Sequence, residues 1–291
     1  MDPLVTLPAH LRASLMSLPC GVGEPRRCGR FAPSPTGALH LGNLQTALAS
    51  WLQMRRCHGL WRLRIDDLDT PRVKLGAIEA IQRDLRWLGL TWDGPVLLQS
   101  RQRGWYYSWL SWMRREGVLF PCRCSRRDLA GAVRYPGTCR QADRGWGWQQ
   151  GRLPSWRLRV PPDDPFGSGD VVVRRADGFV AYHLATVLDD LRCGITDVMR
   201  GEDLREAEAP QRSVLTALDA RPPAFHYAPL VHDGQGQKLS KRDQASGLAP
   251  LIDQGMDPPS VIGRLASGLG LVPQGTRCSA QDLLQALGPS T

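Results

Sequence analysis

The chain has 291 residues, 42% of them apolar and 22% charged, which excludes a disordered chain and leaves room for one large domain or two modest ones. No run approaches the roughly 18 apolar residues of a membrane span, and the opening residues lack the charged start and clean apolar run of a secretory leader. A formal charge of +9 fits a polyanionic partner such as RNA.

Residues 1–29 read as a loose extension, with Met16 an alternative start. A short strand is expected around Arg30, running into the loop Ala32-Pro33-Ser34-Pro35-Thr36-Gly37. Leu44, Leu48, Trp51 and Leu52 recur at helical spacing across 41–56. Residues 61–65 alternate as a strand does and end in Asp66-Asp67-Leu68-Asp69, and helical patterns follow at 78–88 and 105–115. Strand, loop, helix, strand, helix predicts a parallel α/β sheet.

From 120 to about 150 the pattern fails, as an inserted module would make it. Strands are expected at 156–160, 171–174, 196–200 and 228–231, with helices at 181–190, 206–218 and 259–269. The glycine-rich stretch Asp233-Gly-Gln-Gly-Gln237 leads into Lys238-Leu-Ser-Lys-Arg242, after which 49 residues remain.

Two features carry chemistry. Around His40-Leu-Gly-Asn43 a rigid proline loop opens a helix, and a helix start offers unpaired N–H groups and a positive dipole end to phosphates. Gly42 leaves the surface bare enough for a flat base or ribose. Taken alone, a turn with a surface histidine cap fits equally well. The second feature is lysine usage: of 37 basic residues 34 are arginine, yet Lys238 and Lys241 stand three apart. A compact, mobile ammonium differs in use from a planar guanidinium.

Eight cysteines without a secretory leader point to a reducing compartment rather than a disulfide scaffold. Cys122, Cys124 and Cys139 cluster and could hold Zn²⁺, but a tetrahedral site needs a fourth ligand and no histidine lies near in sequence. The chemistry alone leaves water, or no metal, open.

Arg30-Phe-Ala-Pro-Ser-Pro-Thr-Gly37 with His40-Leu-Gly-Asn43, and then Lys238-Leu-Ser-Lys-Arg242, resemble the two signature motifs of the glutamyl-tRNA synthetases, which are class I enzymes. Arg64-Ile-Asp-Asp67 and Arg200-Gly-Glu-Asp203 are similar to two further segments of that family. The resemblance implies a class I Rossmann-type parallel sheet divided as 30–117 and 161–242, an inserted zinc-ribbon-like acceptor-binding lobe at 118–160, and a short helical remnant at 243–291. It implies activation of L-glutamate by ATP with Mg²⁺: His40 and Lys241 are the catalytic candidates, and Gly42, Asn43 and Lys238 join them around ATP. For glutamate it implies Arg30, Phe31, Ala32, Pro33, Ser34, Asp66, Tyr182 and Arg200, with Asp66 standing where the family has glutamate, one methylene longer.

The short remnant, with no room for an anticodon-reading domain, and the spacing of the three cysteines around Tyr135 are similar to the truncated paralogues that transfer glutamate to queuosine in the anticodon of tRNA(Asp). That resemblance implies Cys122, Cys124, Tyr135 and Cys139 as structural Zn²⁺ ligands, tRNA(Asp) carrying queuosine as the acceptor, a monomer, and a cytoplasmic location. The alternatives are the catalytic body of a discrete glutamyl-tRNA synthetase and a non-catalytic tRNA-binding paralogue.

Overall fold

All four residues of strand β1 (Cys28–Phe31) are buried, as befits the middle strand of a parallel sheet. The computed structural model describes residues 26–132, 134–142, 144–149, 151–229 and 247–288. In it β1 pairs with β2 (Leu60–Ile65) on one side and with β7 (Asp197–Gly201) on the other. The sheet is extended by β3 (Leu97–Leu98) and β8 (Ala224–Ala228) to the parallel order β3-β2-β1-β7-β8. The chain builds outward from β1 first to one side and then to the other, so the order reverses between β1 and β7. In open α/β sheets ligands bind at the carboxyl ends of the strands at such a point.

Helix α1 (Leu41–Arg56) is the crossover from β1 to β2. Its residues Leu41, Leu44, Leu48 and Leu52 are buried, and Arg55 and Arg56 in the last turn oppose the negative end of its dipole. Phe31, Trp61, Leu63 and Ile65 share one core with these leucines. Helix α2 (Ala77–Trp87) contributes Ile81 and Leu85 to it.

Three helices near the end of the chain, α6 (Leu248–Asp253), α7 (Pro258–Gly268) and α8 (Ala280–Leu287), add Leu251, Val261, Leu265 and Leu283 to that core. Gly263 is packed so tightly that a Cβ there would lie 1.7 Å from the carbonyl oxygen of Thr276.

These elements form one of two compact units, made of 26–100, 195–205, 223–229 and 247–288; the other comprises 101–194 and 206–222. In the second unit β4 (Leu119–Cys122), β5 (Ser155–Leu158) and β6 (Val171–Arg174) form an antiparallel sheet in that order. It carries helices α3 (Arg103–Arg115), α4 (Tyr182–Arg192) and α5 (Glu208–Ala217). The buried Tyr106 hydroxyl of α3 donates to Asp189 of α4 at 2.7 Å, so a polar pair inside this unit is satisfied.

The parallel α/β sheet expected from the sequence is present, with three local differences. Strand β4 runs into the stretch from 120 with no legible pattern, because β5 supplies the backbone partners. The strand expected at 228–231 is β8, four residues earlier; it is a half-buried edge, so its apolar pattern is weak. Residues 230 and 231 lie outside the described residues. Between β4 and β5 the described residues form turns and one isolated bridge, Gln149 with Arg152, rather than the hairpins of a zinc ribbon. Among the described residues no helix is long and apolar enough to cross a membrane.

Candidate active site

The sequence places its polar residues where the strands of the first unit end. Arg30 lies on β1 and is only 5% exposed; its guanidinium donates to the carbonyl of Met199 on β7 at 3.3 Å. Arg200, also on β7, is 4% exposed, its guanidinium carbon 5.0 Å from the centre of the Phe225 ring. Two buried cations on adjacent central strands are uncommon in a sheet core, where charge is expensive unless matched.

Beyond Phe31 the loop is fixed by backbone bonds: Asp66 N–H donates to Pro33 O at 3.0 Å, and Lys74 N–H to Pro35 O at 2.9 Å. Ala32 and Pro33 line this turn, and Ser34 at its tip is exposed. The turn therefore sits beside the carboxyl end of β2, where Asp66 follows. The Asp66 carboxylate is gripped by Arg64, Nε to Oδ1 at 2.7 Å and Nη2 to Oδ2 at 3.3 Å. Residues two apart along an extended chain share a face, which lets the Arg64 guanidinium reach Asp66. The neighbouring Asp67 accepts from the backbone and hydroxyl of Ser100, at 2.7 and 2.6 Å, and so staples the end of β2 to the segment after β3.

His40 is the N-cap of α1. Its Nδ1 accepts from the Asn43 N–H at 3.2 Å, while Asn43 Oδ1 accepts from the His40 N–H at 3.3 Å, a reciprocal capping box. A backbone N–H can only donate, so Nδ1 carries the lone pair and the ring proton sits on Nε2. Burial pushes the imidazole below its usual 6.5, opposed by the carboxylate of Asp203, so the ring is neutral near pH 7. No acidic side chain occupies the first turn, and the amides of Leu41 and Gly42 have no intrahelical acceptor. The helix start thus presents an Nε2–H donor, two amides and an uncompensated dipole, which together suit an oxyanion such as a phosphate.

Lys238 and Lys241 lie outside the described residues. The described residues that flank their segment are both held near the start of α1. Gln45 donates to Pro229 O at 2.9 Å, and a Cβ on Gly247 would lie 3.0 Å from Leu39 O. The sequence reading missed Gln45, Arg64 and Asp203, whose roles exist only once the strands and helix are assembled. Tyr182 belongs to the second unit, where it is the exposed first residue of α4.

The second unit also gathers the cysteines. The Sγ atoms of Cys122, Cys124 and Cys139 lie within 4.8 Å of one another, those of Cys124 and Cys139 at 3.7 Å. The Tyr135 oxygen is 3.4 Å from the Cys122 sulfur and 3.8 Å from that of Cys124, and it accepts from the Cys139 N–H at 2.8 Å. Zn–S bonds of about 2.3 Å put tetrahedral thiolate sulfurs about 3.8 Å apart, so the donor set fits zinc. Burial raises the Tyr135 phenol, and with the Cys139 thiol it raises Cys124 to about 11. Burial works the same way on Cys139, but the Arg123 N–H, Tyr135 and the other thiols outweigh it and bring that group to about 7. Among the described residues Phe120 and Tyr135 pack with the cysteines, a small core for a lobe to rest on.

Residues 28–135 and 157–283 match the family described as tRNA synthetases class I (E and Q), catalytic domain. The chain is 68% identical over 259 residues to the glutamyl-Q tRNA(Asp) synthetase of Parasynechococcus marenigrum (strain WH8102), covering 89% of this chain and 88% of that one. It is 42% identical over 273 residues to the protein of that name from Bordetella bronchiseptica (strain ATCC BAA-588 / NCTC 13252 / RB50), covering 84% and 82%. Among solved structures, the glutamate-tRNA synthetase of Elizabethkingia anophelis superposes with a TM-score of 0.72 at 24% identity, a likeness of fold. That match covers 89% of this chain and 65% of the larger protein, so the chain spans slightly less than two thirds of its solved neighbour. With four-fifths of its length inside the family match and near-full-length relatives well above 30% identity, this chain belongs to the glutamyl-Q tRNA(Asp) synthetases, within the class I tRNA synthetase (E and Q) catalytic-domain family.

Proposed function

We propose that the protein activates glutamate with ATP and transfers it to queuosine in the anticodon of tRNA(Asp). The observation that carries this is the 68% identity to a glutamyl-Q tRNA(Asp) synthetase over 89% of the chain. The parallel sheet supports it: β1, which leads into α1, is flanked by β2 and β7, the strands that bear or border the other motif residues.

In the first step the α-carboxylate of glutamate attacks the α-phosphorus of ATP, and pyrophosphate leaves with the bond to the β-phosphate oxygen. The His40 Nε2–H and the α1 amides donate to phosphate oxygens as charge spreads over them. Gly42 and Asn43 belong to the same helix start. Lys238 and Lys241 are assigned to the phosphates by their motif alone. Arg30 and Arg200 supply fixed positive charge for the substrate carboxylates; a neutral amide in place of the side-chain carboxylate would forgo that charge–charge attraction, which disfavours glutamine. Phe31, Ala32, Pro33 and Ser34 form the wall of that pocket, with Tyr182 assigned to it by resemblance. Asp66, oriented by Arg64, accepts the substrate ammonium. Its side chain is shorter than the family's glutamate, and the amine reaches it directly or through one water. Mg²⁺ would enter with ATP, neutralising phosphate charge.

Zn²⁺ would be held by Cys122, Cys124, Cys139 and Tyr135 and would fix the fold of their loop.

The test is glutamate-dependent pyrophosphate exchange without tRNA, followed by transfer of labelled glutamate to queuosine-containing tRNA(Asp) and nuclease mapping. Exchange without tRNA and label at the wobble nucleoside are expected. Label on the terminal adenosine, or no exchange, overturns the assignment.

A further inference from the structure

Beside the parallel sheet of the first unit lies a cavity of 460 Å³, within the usual range for a small-molecule site. None of the residues assigned above to glutamate, ATP or zinc lines it. Met199 of β7 pairs in register with His226 of β8, so their side chains share one face of the sheet, and both residues line the cavity. Arg200 and Phe225, one position along, belong to the opposite face. Helix α1 packs against β1, β2 and β7 more than against the edge strand β8. The space over β8 is walled instead by Leu269 and Leu271 after α7 and by Leu287 at the end of α8, with Leu52 of α1 facing them.

Three basic side chains reach this space, and they are not equivalent. Asp197 is a buried hub: the Arg27 guanidinium grips it through Nε at 3.0 Å and through Nη2, the Thr196 hydroxyl donates to it at 2.7 Å, and His226 Nε2 stands 3.0 Å away. A carboxylate only accepts, so His226 donates from Nε2, which leaves Nδ1 open to a ligand. Asp197 therefore answers the charge of Arg27. Arg56 has no such partner. Its Nε donates to the Gly288 carbonyl at 3.0 Å and its Nη2 to that of Leu287 at 3.5 Å, and among the described residues it forms no ion pair. The cavity thus holds one guanidinium without a counter-charge, and Gln53, three residues earlier on α1, adds an amide beside it.

The same cavity touches the frame that holds Arg30. Met199, which lines it, offers its carbonyl to the Arg30 guanidinium at 3.3 Å. Ala228 and Pro229 line it too, and the Pro229 carbonyl accepts from Gln45 near the start of α1 at 2.9 Å. A body seated against Met199 bears on a residue whose backbone already orients a buried cation. Packed strands pass on such displacements rather than absorb them.

We propose that this cavity is an effector site for a small organic monoanion with an apolar body, and that its occupancy changes how Arg30 meets glutamate. One guanidinium without a counter-charge suits one negative charge and is too little for a triphosphate. Leucine and methionine walls favour an apolar body over a sugar, whose hydroxyls would be left without partners. A bare inorganic anion would leave most of that apolar wall in water. The binding stands on the cavity alone; its effect on glutamate rests on the functional reading above.

The test uses the full chain and anilinonaphthalenesulfonate, a monoanion on an aromatic body, in a fluorescence titration. Saturable binding is expected, about tenfold or more tighter than for phenylnaphthylamine, which lacks the sulfonate. Gln53→Glu and Leu271→Asp each bring a carboxylate to the wall without touching the Asp197 hub, and Leu271 is 38% exposed, so the fold tolerates the change. Each should weaken the probe about tenfold or more. Saturating ATP and glutamate should leave the probe bound. In pyrophosphate exchange the saturating probe should shift KM for glutamate about fivefold or more, with KM for ATP little changed. Equal affinity for the two probes, wild-type affinity in both variants, displacement by ATP or glutamate, or an unmoved KM for glutamate would each overturn the proposal. Absence of exchange in the wild type would instead sink the functional reading, and the fluorescence measurements would still decide the site.

Discussion

The guanidinium of Arg64 holds the carboxylate of Asp66 side-on, with the two side chains only 3% and 6% exposed. A buried carboxylate held this way is oriented by two bonds, which is what a partner for a substrate ammonium requires.

Arg64→Ala should therefore cost about 3 kcal/mol of stability by removing the two-point grip on a buried carboxylate. The conservative Arg64→Lys should fold but lose the two-point grip. A rise of about tenfold in KM for glutamate, with little change in KM for ATP, is the expected signature. Chemical denaturation and steady-state exchange kinetics read the two effects separately, and an unchanged KM in Arg64→Lys would contradict the orienting role.

The two nitrogens of His40 can be separated by substitution. His40→Asn retains a cap acceptor but has no Nε2–H; its stability should stay near wild type while exchange falls about 10²–10³-fold. His40→Ala should lose the exchange and about 1 kcal/mol of stability as well. Equal thermal stability of the two variants would show that the cap contributes nothing.

His40 also gives stability a pH dependence with a definite sign. Its folded-state value lies below the usual 6.5, so the unfolded chain binds the proton more readily. The stabilisation of the neutral capped form is present above about pH 6.5 and is lost as pH falls toward the lower folded-state value. Wild type should lose more stability than His40→Asn between neutral and mildly acidic pH, measured by denaturant unfolding.

Metal analysis of the purified protein should find about one zinc per chain, and less than about 0.1 would count against the site. Since Arg123 ties the cysteines to the 144–152 loop, chelation should also change the tryptophan fluorescence of that loop. Pyrophosphate exchange, which is assigned to none of the cysteines, should persist.

Gly263→Ala tests the docking of α7. Its Cβ would collide with the Thr276 carbonyl oxygen at 1.7 Å, so backbone must move, at a cost of about 3 kcal/mol. The denaturation midpoint should fall accordingly, and a midpoint within error of wild type would show that residues near 276 yield freely.

The helices α1, α2 and α3 and strands β1, β2 and β6 were legible because each repeats its own period over enough residues to be read locally. Helices α6 and α8 were not: six and eight residues are too few for a periodic signal, although Ser279 and Asp282 write a capping box for α8. In the site, His40, Arg30 and Arg200 were named from their motifs, but the sequence could not say that Nδ1 of His40 is used up by its own helix.

By itself the sequence determined the order of elements, the α/β class and the types of residue that would bear charge, since propensity, capping and periodicity act within a few positions. Only the tertiary structure decided that β4 joins an antiparallel sheet, that Arg64 claims Asp66, and that Arg123 gathers a distant loop's carbonyls. Those outcomes depend on backbone groups and charges brought together from far apart in the chain, where burial makes each unmatched polar atom costly and so selects one arrangement.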